Sequence, residues 1–156
     1  LISERDIQDA NLAYYGDHHN SKQWRQFVLT LIAEMYKSAG SVDACAFLRH
    51  VGGQIAAANP VEEQESLEAF EVALNRILRD IDWGWVRFVL DNQAVRIVHG
   101  AYPGISEPSE HWSQAIGAVL EGMYQKWFQA QTDEVSLQVQ CIATSGQGAL
   151  VFHCGS

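Results

Sequence analysis

Six histidines, three cysteines and a run of glutamates are the residues of this chain whose chemistry could serve a metal or a reaction. His18 and His19 are adjacent, while His50, His99, His111 and His153 stand on separate elements with no i, i+4 histidine partner, so zinc-ligand spacing is missing. Cys45, Cys141 and Cys154 are odd in number and form no C-x-x-C pair; they offer no disulfide framework and read as free thiols of a reducing compartment. His153 beside Cys154 is proximity on a terminal strand, not a nucleophile with an oriented base. Glu62, Glu63 and Glu65 resemble the carboxylates of a glycosidase, but nothing sets a second carboxylate opposite them. They are read as the first turn of a helix, facing the positive end of its dipole. Gly146-Gln147-Gly148 falls between two strands, where a hairpin needs glycine and no helix dipole awaits a phosphate. The expectation is no catalytic residue, no metal and no cofactor.

The elements that hold these residues follow from apolar spacing. Residues 1–20 show no helical apolar stripe and read as a flexible arm ending in the aromatic and polar run Tyr14-Tyr15-Gly16-Asp17-His18-His19. From Ser21, the positions of Trp24, Phe27, Val28, Leu31, Ile32 and Met35 predict a helix that Gly40 stops. Ser41 opens a second helix through Cys45, Leu48, Val51 and Ile55, ended by Asn59-Pro60. Its Gly52-Gly53 pair reads as close helix packing. A third helix is expected from just after Pro60 to Ile81. Residues 83–90 and 94–99 then read as a β-hairpin, followed by a Pro- and Gly-bearing loop and a fourth helix from about Glu110 to Ala130. Gly117 and Gly122 of that helix admit a close neighbour. Alternation from Val135 to Cys141 and the run 149–152 give a second hairpin. The fold class is therefore α+β, with helices on one face of a four-stranded antiparallel sheet, in one domain spanning 21–156.

Composition narrows the function classes. The chain has 156 residues, 47% hydrophobic and 19% charged, which suits one folded domain and excludes wholesale disorder. Ten Lys and Arg against nineteen Asp and Glu give a net charge of −9, and the scattered basic residues form no run, so nucleic acid is not an expected partner. The opening Leu1-Ile2-Ser3-Glu4-Arg5-Asp6 shows no basic and apolar leader pattern. Trp83, Trp85, Trp112 and Trp127 are more large aromatics than one small core hides; most read as core, with at least one at a subunit contact.

Four sequence blocks carry a resemblance. Ile81-Asp82-Trp83-Gly84-Trp85-Val86, Val95-Arg96-Ile97-Val98-His99, Glu107-Pro108-Ser109 with Trp112, and Val119-Leu120-Glu121-Gly122-Met123-Tyr124 with Trp127 resemble, in order and spacing, the bacterial cellulose synthase operon protein D family. A looser likeness to the ligand-binding domains of haem nitric-oxide sensors lacks a histidine placed for haem. The family resemblance implies a non-catalytic accessory protein of the cellulose synthase complex, a cylindrical homo-octamer built as a tetramer of dimers. It would arrange cellulose synthase complexes so that glucan emerges as ordered, crystalline ribbons. One form of that role is a cytoplasmic scaffold working with a proline-rich partner protein from the same operon, and the free thiols favour it. The alternative is a periplasmic octameric channel guiding nascent β-1,4-glucan. The resemblance assigns architectural or interface roles to Trp83, Gly84, Trp85, Arg96, His99, Trp112, Glu121, Gly122, Tyr124 and Trp127. Any glucan contact would fall to Tyr14, Tyr15, Asp17 and His18, through aromatic stacking on sugar rings and carboxylate bonds to hydroxyls.

Overall fold

The computed structural model describes residues 3–19, 21–104, 111–145 and 149–156. The chain runs α1 (Glu4–His19), α2 (Lys22–Ala58), α3 (Leu67–Asp80), β1 (Trp85–Asp91), β2 (Ala94–Gly100), α4 (Trp112–Gln129), β3 (Gln138–Ser145) and β4 (Ala149–Gly155).

The first helix corrects the reading of residues 1–20 as an arm without helix. Its start is a capping box: the Asp6 amide donates to Ser3 Oγ at 3.1 Å and the Ser3 amide donates to Asp6 Oδ2 at 3.2 Å. These bonds to Ser3 hold the Asp6 carboxyl below its ordinary pKa. Local capping thus starts a helix that has no apolar stripe to announce it.

Helix α2 is two helical segments meeting at Gly40, whose φ of 82° and ψ of 164° only glycine adopts readily. The break expected there is present, and the chain resumes its helix at once. Tyr36 and Cys45 brace the bend from either side, with the phenol oxygen and Cys45 Sγ 3.2 Å apart, and the Tyr36 ring stacks on His111 at 4.2 Å. The third helix starts later than expected, at Leu67, where the Ser66 side chain accepts from the Ala69 amide at 3.1 Å. Glu62, Glu63 and Glu65 therefore precede the cap and are not its first turn. The segment before it is tied to the end of α4 instead. The Trp127 indole donates to the Asn59 carbonyl at 2.9 Å, Gln131 Oε1 accepts from the Gln64 amide at 2.8 Å, and Val61 is buried between them.

The four strands pair antiparallel in the order β1-β2-β4-β3. The first hairpin turns through Asn92 and Gln93, with Asn92 in the left-handed region that Asn tolerates. The third strand begins at Gln138, so the exposed Val135 lies outside it, and a bulge near Cys141 and Ala143 breaks its alternation. Helix α4 is buried nearly all round because the sheet lies on one side and α2 crosses on the other. Phe70 of α3, Phe88 of β1 and Phe128 of α4 form a ring cluster with centroids 5.0 to 5.4 Å apart, which fixes α3 on the same face of the sheet.

Candidate functional site

Five of the motif residues converge where β2 passes over α4. His99, on the inward face of β2, is fully buried. Its Nε2 lies 2.6 Å from the Trp83 carbonyl, which can only accept, so Nε2 carries the proton. Nδ1 is then the acceptor for the hydroxyl of Tyr124, itself fully buried on α4. Burial pushes the His99 imidazole down to about 4, against the Trp83 bond that favours its charged form, and burial raises the Tyr124 phenol. At neutral pH both groups are uncharged, and both ring nitrogens are engaged, so no lone pair is left for haem or a metal.

The Trp83-Gly84-Trp85 segment shapes this knot with its backbone. Gly84 has φ of 92°, and a Cβ there would sit 2.0 Å from the Gly100 carbonyl oxygen. Gly100 in turn lies under the Trp85 indole, 2.2 Å from where its own Cβ would be. Any side chain at either position would part β1 from β2, which is why two glycines flank the buried histidine.

A second group sits at the crossing of α2 and α4. A Cβ on Gly52 would be 1.9 Å from the Val119 carbonyl oxygen, and one on Gly122 would be 1.9 Å from that of Arg49. Glu121 closes the crossing: Oε2 pairs with Arg49 Nε at 2.6 Å and Oε1 accepts from the Cys141 amide at 2.9 Å, linking α2, α4 and β3. Trp112 stands apart, its indole donating to the Pro103 carbonyl at 2.8 Å. Arg96 is on the opposite face of β2 from His99, exposed and 3.3 Å from Asp91. The side chains of Tyr14, Tyr15, Asp17 and His18 lie outside the described residues.

The residues that spacing alone did not single out are those that finish the sheet. Along β1, Asn75 of α3 accepts from the Val86 amide and donates to the Val86 carbonyl, both at 2.9 Å, and Glu71 accepts from the Phe88 amide at 2.8 Å. Along β3, Gln125 of α4 accepts from the Val139 amide at 2.7 Å and donates to the Leu137 carbonyl at 2.6 Å, while Glu121 takes the Cys141 amide. The device is the same twice: a carboxylate at position i and an amide at i+4 of a helix stand in for the missing neighbouring strand. Both edges are closed to another chain. Only the topology reveals it, since an i, i+4 acid and amide pair is commonplace on helices.

Among the described residues, no group of three His, Cys, Asp or Glu side chains is placed to hold a metal ion, and no helix is long and apolar enough to cross a membrane. Burial raises the Cys154 thiol to about 12, with Glu134 adding to the effect, so it stays protonated.

The family model of the cellulose synthase D component matches residues 10–155. The chain belongs to that family. Its members take part in cellulose biosynthesis, and related proteins carry the name cellulose synthase operon protein D. One from Komagataeibacter xylinus is 31% identical over 107 residues, covering 67% of this chain and 69% of its own. A second from that organism is 33% identical over 110 residues, with the same coverage, and one from Komagataeibacter sucrofermentans is 31% identical over 107 residues.

Proposed function

We propose that this member of the operon protein D family is a non-catalytic accessory component of the cellulose synthase complex, a homo-octamer built as a tetramer of dimers. It lines up several synthases so that their glucan chains leave together and crystallise as ordered ribbons. The observation that carries the reading is the overhang of α2. At 37 residues against 18 for α4, it is about 55 Å long against about 27 Å. Its first buried residue is Ile32. Ahead of it Trp24 and Phe27 are 59% and 58% exposed and meet edge to face, and Leu31, with Ile7 and Leu12 of α1, adds to the apolar surface. A contiguous aromatic and aliphatic surface of this kind marks a protein contact, and further copies of the chain would cover it.

The fully buried or half-buried free thiols of Cys45, Cys154 and Cys141 support a cytoplasmic scaffold. Exposed aromatics also suit a proline-rich partner, because a polyproline II segment loses little entropy on docking against them. Light scattering after gel filtration tests the assembly: eight copies of a 17.4 kDa chain give about 139 kDa. A monomeric mass at micromolar concentration would overturn the scaffold and the channel alike. Cell fractionation separates those two, since recovery from the periplasm would favour an octameric channel whose passages guide nascent β-1,4-glucan.

A further inference from the structure

The solvent side of α3 carries a stripe that reads alike from both ends in spacing and opposite in charge. Glu65 just ahead of the Ser66 cap, Glu68, Val72, Arg76 and Arg79 are all exposed. Their separations of three, four, four and three residues keep them on one face of a helix. Val72, 59% exposed, is the midpoint: Glu68 and Arg76 flank it at four residues, Glu65 and Arg79 at seven. None of the four charged side chains has an ion-pair partner within the chain among the described residues, although Arg49 and Arg96 each find a carboxylate. Beside the stripe, a cleft of about 530 Å³ between α3 and β1 is lined by Val72, Arg76, Arg79, Trp85 and Arg87, so a third guanidinium faces the same space.

We propose that α3 packs antiparallel against the α3 of a second copy of this chain, about a two-fold axis passing at Val72. Such an axis sets each position the same number of residues before Val72 against the position that far after it. Glu68 then meets Arg76 of the partner subunit and Glu65 meets Arg79 of the partner subunit, and both pairs form twice. Val72 packs on its own symmetry mate. A two-fold interface requires a patch complementary to itself, and this stripe meets that requirement. Parallel helices about a two-fold would set acid on acid and base on base, so the charges select the antiparallel arrangement. Exposed ion pairs are individually weak, so this contact sets register and orientation. The apolar burial that holds the assembly comes from α2, and in this the inference rests on the homo-oligomer proposed above.

The test places a cysteine on the axis. Full-length Val72→Cys, oxidised with copper phenanthroline, should cross-link to a dimer on a non-reducing gel at least tenfold more than Val135→Cys, whose exposed position is far from the stripe in sequence. Adding Arg76→Glu and Arg79→Glu should abolish the cross-link, and adding Glu65→Lys and Glu68→Lys to those should restore it. Circular dichroism checks that the charge variants fold; should they not, the cross-link of the single variant decides. Sedimentation velocity on the parent protein separates the two readings. An oligomer whose Val72→Cys variant stays uncross-linked overturns the α3 pairing and leaves the oligomer intact, whereas a monomer overturns both.

Discussion

Acid should unfold this protein through one residue. His99 is fully buried and neutral, its folded pKa held near 4 by burial, while the unfolded chain titrates near 6.5. Between those values the unfolded state binds the extra proton, so stability present above pH 6.5 is lost as the pH falls toward 4. From pH 7 to pH 5 the linkage relation gives a loss of about 2 kcal/mol from this side chain alone. For a chain of this size that is a fall in Tm of roughly 4–8 °C. Urea unfolding at fixed protein concentration, followed at half-unit intervals from pH 7 to pH 5, measures it. His99→Phe should lower stability at pH 7, since the Trp83 carbonyl loses its donor, and should remove most of the slope. A parallel NMR titration of the imidazole reports the ionisation in the folded protein directly. A flat wild-type profile, or a His99 ring that titrates near 6.5 while the protein stays folded, would refute the reasoning.

Gly122→Ala drives a methyl into the Arg49 carbonyl 1.9 Å away, backbone that cannot swing aside, so α2 and α4 must separate. The expected cost is about 3 kcal/mol, a fall in Tm of roughly 6–12 °C, read by calorimetry. Asn75→Ala leaves the Val86 amide and carbonyl without partners, which should cost about 1–3 kcal/mol and open β1 to other chains. Sedimentation should then show large species that the parent lacks, and an unchanged melt would count against the edge-sealing role. Replacing Trp24 and Phe27 together with serine should lower the assembly mass in light scattering and leave the far-ultraviolet dichroism unchanged, since neither ring is in the core. An unaltered mass would exclude the α2 stripe from the subunit contact.

The hairpins and the fourth helix are legible because their residues satisfy local rules: β-branched alternation, Asn at a left-handed turn, a broad apolar helix bounded by polar loops. The glycines at 40, 52 and 122 are legible for the same reason, as a stop and as close approaches. What is not legible depends on capping and on topology. Ser3 and Asp6 form a capping box that local rules can read, yet no apolar stripe follows it to mark the helix. Glu62, Glu63 and Glu65 look like a first turn until Ser66 is seen to hold the cap, and Asn59 and Gln64 are found bonded to residues nearly seventy positions away. The breadth of α4 points to a subunit contact; α2 covers it within the chain, and the exposed apolar surface lies on the overhang instead. His99 stands out only as part of a motif, because nothing in its spacing reveals that Tyr124 will be its donor.

The bend at Gly40 makes the front half of α2 a lever. From Lys22 to Ala39 it reaches about 27 Å, so a turn of about ten degrees at that one residue would swing Trp24 by roughly 4 Å. No atom lies within 4 Å of where a Cβ on Gly40 would be, leaving the hinge angle to its own backbone and to the Tyr36–Cys45 brace. Assemblies of different radius could then be reached by resetting one pair of dihedral angles, with the sheet, the buried histidine and the helix crossing left as they are.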